Sequence, residues 1–236
     1  MDAPAKNTPH DSFHTVGIGA SAGGLEALLE LLSALPADTG MAFVLIQHLE
    51  PHHESQLAQI LSNSTKMPVV QASEGQEVEP NHVYVIPPNT IMVIENRALR
   101  LAPRPSSGES YYPIDIFFES LASDQGPYAV GVVLSGSASD GAQGIRAIKA
   151  RCGTTFAQDE RSAKHGGMPH RAATSGAGDL VLPPNFRKMA VEVFQIFAQC
   201  AQMMSDEPPA QTTADRGLTA PSWRSARRAR PEHRSP

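Results

Sequence analysis

Residues 41–47, Met-Ala-Phe-Val-Leu-Ile-Gln, form an unbroken apolar run between Gly40 and His48. A strand with one wet face alternates apolar and polar residues, so a run without alternation belongs to a strand covered on both faces, as in a parallel sheet between helices. A second run, 129–134 (AVGVVL), imposes the same condition. Parallel neighbours need crossover connections, so helical patterns should separate the strands.

They do. Residues 15–19 (TVGIG) read as a strand, and apolar residues at 25, 28, 29, 32 and 35 then follow helical spacing. A short helix is expected at 55–63, a short strand at 68–70, a helix at 114–123, a helix at 141–150 and a strand at 154–158. A turn at 166–169, a helix near 169–174, a strand at 179–182 and a helix at 185–203 complete the series. Residues 82–101 differ, because HVYVIPPNT and IMVIENRALRL are two alternating runs, the second broken at Glu95-Asn96. They predict antiparallel hairpins appended to the main sheet. The Pro, Ser and Gly-rich loop 103–110 is placed to border a cleft. The expected fold is α/β: a doubly wound, mainly parallel sheet with helices on both faces and an appended antiparallel hairpin region. One domain is expected over 14–203, between a disordered leader (1–13) and a disordered Pro, Ser and Arg-rich tail (204–236).

Bulk properties narrow the function. No segment approaches the roughly 20 apolar residues of a membrane span, and the first residues lack a signal-peptide layout. Cys152 and Cys200 match neither a metal-ligand spacing nor a disulfide framework, which suits the reducing cytoplasm. Residues 1–205 hold 13 Lys and Arg against 20 Asp and Glu, so a nucleic-acid surface is not expected.

The chemistry concentrates at strand ends. Gly17-Ile18-Gly19-Ala20-Ser21-Ala22-Gly23-Gly24 lies at a strand-to-helix junction and admits two readings. One is a loose dinucleotide turn whose amides approach a pyrophosphate. The other is a Gly-x-Ser-x-Gly bend that exposes the Ser21 hydroxyl. A dinucleotide site wants an acidic residue after the second strand, where this chain has Gln47-His48, with Glu50 two residues on. Histidine there suits a base for Ser21, since the carboxyl ends of parallel strands line one crevice. Asp140 follows the 129–134 strand within Leu134-Ser135-Gly136-Ser137-Ala138-Ser139-Asp140-Gly141 and can orient the imidazole; its alternative role is to cap the helix beginning at Gly141-Ala142.

These residues resemble the catalytic domain of CheB-type chemotaxis protein-glutamate methylesterases. The resemblance spans about 14–200 and rests on Ile18-Gly19-Ala20-Ser21-x-Gly23-Gly24, Gln47-His48, Ser135-Gly136-x-x-x-Asp140-Gly141, and Ala157-Gln158-Asp159-Glu160 leading to Gly167-Met168-Pro169. It implies a Ser21, His48 and Asp140 triad that hydrolyses glutamyl methyl esters on chemoreceptors and deamidates receptor glutamines, without cofactor or metal. Ala22, Gly23, Ser137 and Met168 become candidates for substrate or oxyanion contacts. Implied partners are the cytoplasmic helices of methylated chemoreceptors and a CheR-type methyltransferase in the same system. The chain departs from the family pattern at Ala22 and Ala138, where a hydroxyl residue and a glycine are common. A receiver domain ahead of the esterase is also not expected. The competing readings are a dinucleotide or phosphate-ligand module and a catalytically silent interaction domain.

Overall fold

The computed structural model describes residues 13–48, 56–105, 111–176 and 178–182. Its main sheet has seven parallel strands: β1 (Thr15–Ala20), β2 (Ala42–Gln47), β3 (Val69–Gln71), β5 (Val83–Val85), β8 (Ala129–Val133), β9 (Thr154–Gln158) and β10 (Leu180–Leu182). They lie in the order β10-β9-β8-β1-β2-β5-β3. A separate antiparallel sheet has the order β4-β7-β6, from β4 (Gln76–Glu77), β6 (Thr90–Glu95) and β7 (Ala98–Pro103). The helices are α1 (Gly24–Ala34), α2 (Leu57–Ser62), α3 (Pro113–Gln125), α4 (Ala142–Ala150) and α5 (Gly167–Thr174).

The unbroken apolar strands are buried on both faces, as their composition requires. In β2, Phe43 and Leu45 join a core with Leu28, Leu31 and Leu32 of α1 and Leu61 of α2. Ala42, Val44 and Ile46 join a second core with α3, α4, α5 and the small sheet. The doubly wound expectation therefore holds.

One expectation is corrected. The first alternating run does not form an appended hairpin: β5 is an interior strand of the main sheet, paired parallel with β2 and β3. All three of its residues are buried, Val83 and Val85 against one core and Tyr84 against the other. Such a short strand alternates in sequence only because the polar residues lie outside it. The second run does make the antiparallel hairpin β6–β7, turning at Asn96 and Arg97, both with positive φ. The expected helix at 185–203, the leader and the tail lie outside the described residues.

Helix α3 sits close to the sheet centre because glycines make room for it. A Cβ at Gly17 would lie 2.9 Å from Phe118, and one at Gly19 would lie 2.4 Å from Ile114. A Cβ at Gly144 of α4 would come within 2.3 Å of Phe118 Cβ. This close seating brings the first amides of α3 to the carboxyl edge of the sheet.

Candidate active site

The chain leaves β1 toward β2 on one side and later returns to β8 on the other, so β1 and β8 flank the switch in strand order. Such a point opens a crevice at the strand carboxyl ends. Ser21 follows β1, His48 follows β2 and Asp140 closes the loop after β8. Their side chains meet. Ser21 Oγ lies 3.2 Å from His48 Nδ1, and His48 Nε2 lies 2.8 Å from Asp140 Oδ2. With the Nε2 proton donated to Asp140, Nδ1 is left as acceptor for the serine hydroxyl. The longer Ser21 contact is ordinary for a site without substrate.

Asp140 has no exposed surface and answers four donors. Besides His48, its Oδ2 accepts the Ile114 N–H at 3.0 Å, while Oδ1 accepts those of Asp115 and Gly141, both at 2.9 Å. The alternative role is thus redirected: Asp140 caps α3, while the N-cap of α4 is Gly141 with no side-chain cap bond. One carboxylate thus holds both the first amides of α3 and the His48 ring. Beside it, burial pushes the Asp115 carboxyl above its ordinary range, with Asp140's charge adding to the effect.

The turn carrying Ser21 is held from below. Ser21 N–H donates to Ser135 O at 2.9 Å, and Ser135 Oγ donates to Ala22 O at 2.8 Å. The same Oγ accepts His165 N–H at 2.9 Å, while Ser135 N–H donates to Gln158 Oε1 at 2.9 Å. Gly23 takes φ +70° at the N-cap of α1, where a side chain would be strained and would meet Lys164. A Cβ at Gly136 would fall 2.0 Å from Met168 Sδ and 3.0 Å from Ser21 Cβ.

The four accessory candidates separate on this geometry. Met168 is 1% exposed, packs under Gly136, and donates its N–H to Gly136 O at 2.8 Å. Its amide is therefore occupied and its side chain is core rather than cleft wall. The amides of Ala22, Gly23 and Ser137 have no acceptor among the described residues, which leaves them free to serve an oxyanion. Tyr111 was not singled out from sequence; its ring centroid lies 6.4 Å from that of His48, its hydroxyl donates to Thr90 O, and the Arg104 guanidinium lies over its ring, 4.2 Å from the centroid. Of the loop expected to border a cleft, Arg104 reaches this point, and 106–110 lie outside the described residues. No group of three or more His, Cys, Asp or Glu suited to a metal occurs among the described residues.

Residues 16–191 match the family model of the CheB methylesterase. The chain belongs to the CheB methylesterase family. Its relatives include a protein of Burkholderia lata named protein-glutamate methylesterase/protein-glutamine glutaminase 2, 39% identical over 71% of this chain and 50% of that protein. A Pseudomonas fluorescens protein named protein-glutamate methylesterase/protein-glutamine glutaminase 1 is also 39% identical, over 78% of this chain and 54% of that protein. The chain thus spans about half the length of these curated relatives. Among solved structures, the CheB methylesterase catalytic domain of Thermotoga maritima superposes with a TM-score of 0.71 at 26% identity, covering 78% of this chain and 99% of that domain. No described helix of this CheB-family chain is long and apolar enough to cross a membrane.

Proposed function

We propose that this chain hydrolyses the γ-methyl esters of glutamate residues on chemoreceptors, and deamidates glutamines at equivalent positions, through an acyl-enzyme on Ser21. The single observation carrying this reading is the continuous Ser21–His48–Asp140 relay at the carboxyl edge of the sheet.

As Ser21 Oγ attacks the ester carbonyl, its proton passes to His48 Nδ1, and Asp140 stabilises the imidazolium through Nε2–H. The tetrahedral oxyanion is received by the free amides of Ala22, Gly23 or Ser137, each donor worth about 3–4 kcal/mol in comparable sites. Collapse expels methanol, protonated by His48, and water activated by the same imidazole releases the glutamate. With a glutamine substrate the leaving group is ammonia. The catalytic unit is residues 14–203, acting in the cytoplasm on receptor helices that a CheR-type methyltransferase has methylated.

The test is methanol release from methylated receptor membranes by the wild-type chain and by Ser21→Ala. Release by the wild type alone is expected; equal release by both would overturn the reading.

A further inference from the structure

A cavity of about 340 Å³ opens between α4 and α5 and reaches the catalytic loop at Ser139. Its walls include Gln143 and Arg146 of α4 and Arg171 of α5, with Tyr112 and Asp115 from the start of α3. It shares its framework with the triad, because Asp115 N–H donates to Asp140 and Tyr112 adjoins Tyr111, whose ring faces His48.

Two cations, Arg146 and Arg171, line this one cavity. Four exposed cations sit beside carboxylates, Arg100 with Glu74, Lys149 with Asp179, Arg161 with Asp159, and Lys164 with Glu26, whereas exposed Lys66 and Arg151 form no ion pair among the described residues. Arg146 and Arg171 are exposed and form no hydrogen bond or ion pair among the described residues. The carboxylate in the wall, Asp115, is buried, accepts the Gly144 N–H at 2.7 Å and forms no ion pair with either arginine. In a chain of net charge −5, two unpaired guanidiniums converging on one cavity form a local anion-attracting site.

We propose that Arg146 and Arg171 bind a substrate carboxylate flanking the ester being hydrolysed, so that the enzyme selects acidic polypeptide segments. This rests on the esterase reading, and it gives that reading a direction: each hydrolysis creates a glutamate, and a neighbouring glutamate is the group the cavity receives. Guanidinium forks match carboxylates with paired hydrogen bonds, which Gln143 can supplement.

The experiment uses the full chain with Ser21→Ala, which does not consume the ligand, titrated by fluorescence anisotropy with a labelled helical peptide. The peptide carries a glutamyl methyl ester at its centre and glutamates one turn away on each side. Adding R146Q and R171Q should weaken binding about tenfold at low salt, and the loss should shrink in high salt. A peptide with the flanking glutamates changed to glutamine should bind both proteins alike. Unchanged affinity in the arginine variant, equal weakening for acidic and neutral peptides, equal weakening by K66Q with R151Q, or no binding at all would each overturn the proposal. Wild-type chain that releases no methanol while the arginine dependence persists would sink the esterase reading and leave the carboxylate site standing.

Discussion

Asp115 stands in the first turn of α3 and caps α4, while Asp140 precedes α4 and caps α3. The two helices therefore fix each other's N-termini, and Asp140, the carboxylate hydrogen-bonded to His48, is one half of the clasp. Its position depends on α3, which depends in turn on the glycines beneath Phe118 and Ile114.

Replacing Asp140 by Asn should expose both roles. An Asn oxygen can keep the Asp115 and Gly141 amides, but its NH₂ would face two donors, Ile114 N–H and His48 Nε2–H. The imidazole must then move its proton to Nδ1 and present a donor to Ser21. Methanol release should fall by about four orders of magnitude, and stability by about 1–3 kcal/mol for the orphaned Ile114 amide. Asp140→Ala, which abandons three amides, should cost about 3–5 kcal/mol in urea denaturation. A fully active Asp140→Asn protein would remove the carboxylate from the relay.

The Asp115 clasp should show in the pH dependence of stability. Burial raises its pKa, so the native state holds the proton to higher pH than the unfolded chain does. Its contribution is present below the unfolded value and is lost as pH rises through the folded one. Asp115→Asn keeps an acceptor for Gly144 N–H without the charge. The wild type should therefore lose stability relative to Asp115→Asn as pH rises above about 4. Urea midpoints taken between acid and neutral pH would refute this if the two curves ran parallel.

Gly136 is predicted to be intolerant of any side chain, for a reason that can be relieved. An alanine methyl would collide with Met168 Sδ and press on Ser21. Gly136→Ala should cost about 1–3 kcal/mol by overpacking and depress turnover by displacing the nucleophile. Adding Met168→Ala opens the space, and the double variant should recover more activity than either loss would forecast from additivity. Strict additivity would show that the collision is not the cause.

Much of this arrangement was legible in the residues. The double-sided burial of 41–47 and 129–134 specified a parallel sheet, and the strand ends then brought Ser21, His48 and Asp140 to one edge. Alternation misled at 82–86, because a three-residue strand is too short for its pattern to separate an interior parallel strand from a hairpin arm. β4, at two polar residues, left no pattern at all. The capping partner of Asp140 was also hidden, since sequence proximity favours the helix that follows, whereas tertiary packing delivers the amides of α3. Ser135 and Gln158 stood in recognisable blocks, yet their hydrogen bonds join segments far apart in the chain.

Those bonds support a last prediction, on Ser135. Its hydroxyl ties the carbonyl of Ala22 to the amide of His165, and it is fully buried. Ser135→Ala leaves both groups without that partner, at about 1–2 kcal/mol of stability. The larger effect should fall on geometry: the turn that aims Ser21 at His48 loses a tie, and small misplacement of a nucleophile is costly to rate. The expected result is a drop of about tenfold or more in kcat for methanol release with KM little changed. Labelling of Ser21 by a serine-directed phosphonate should slow by a similar factor, because both reactions read the same hydroxyl. If KM rose while labelling stayed at the wild-type rate, Ser135 would belong to substrate binding rather than to positioning of the nucleophile.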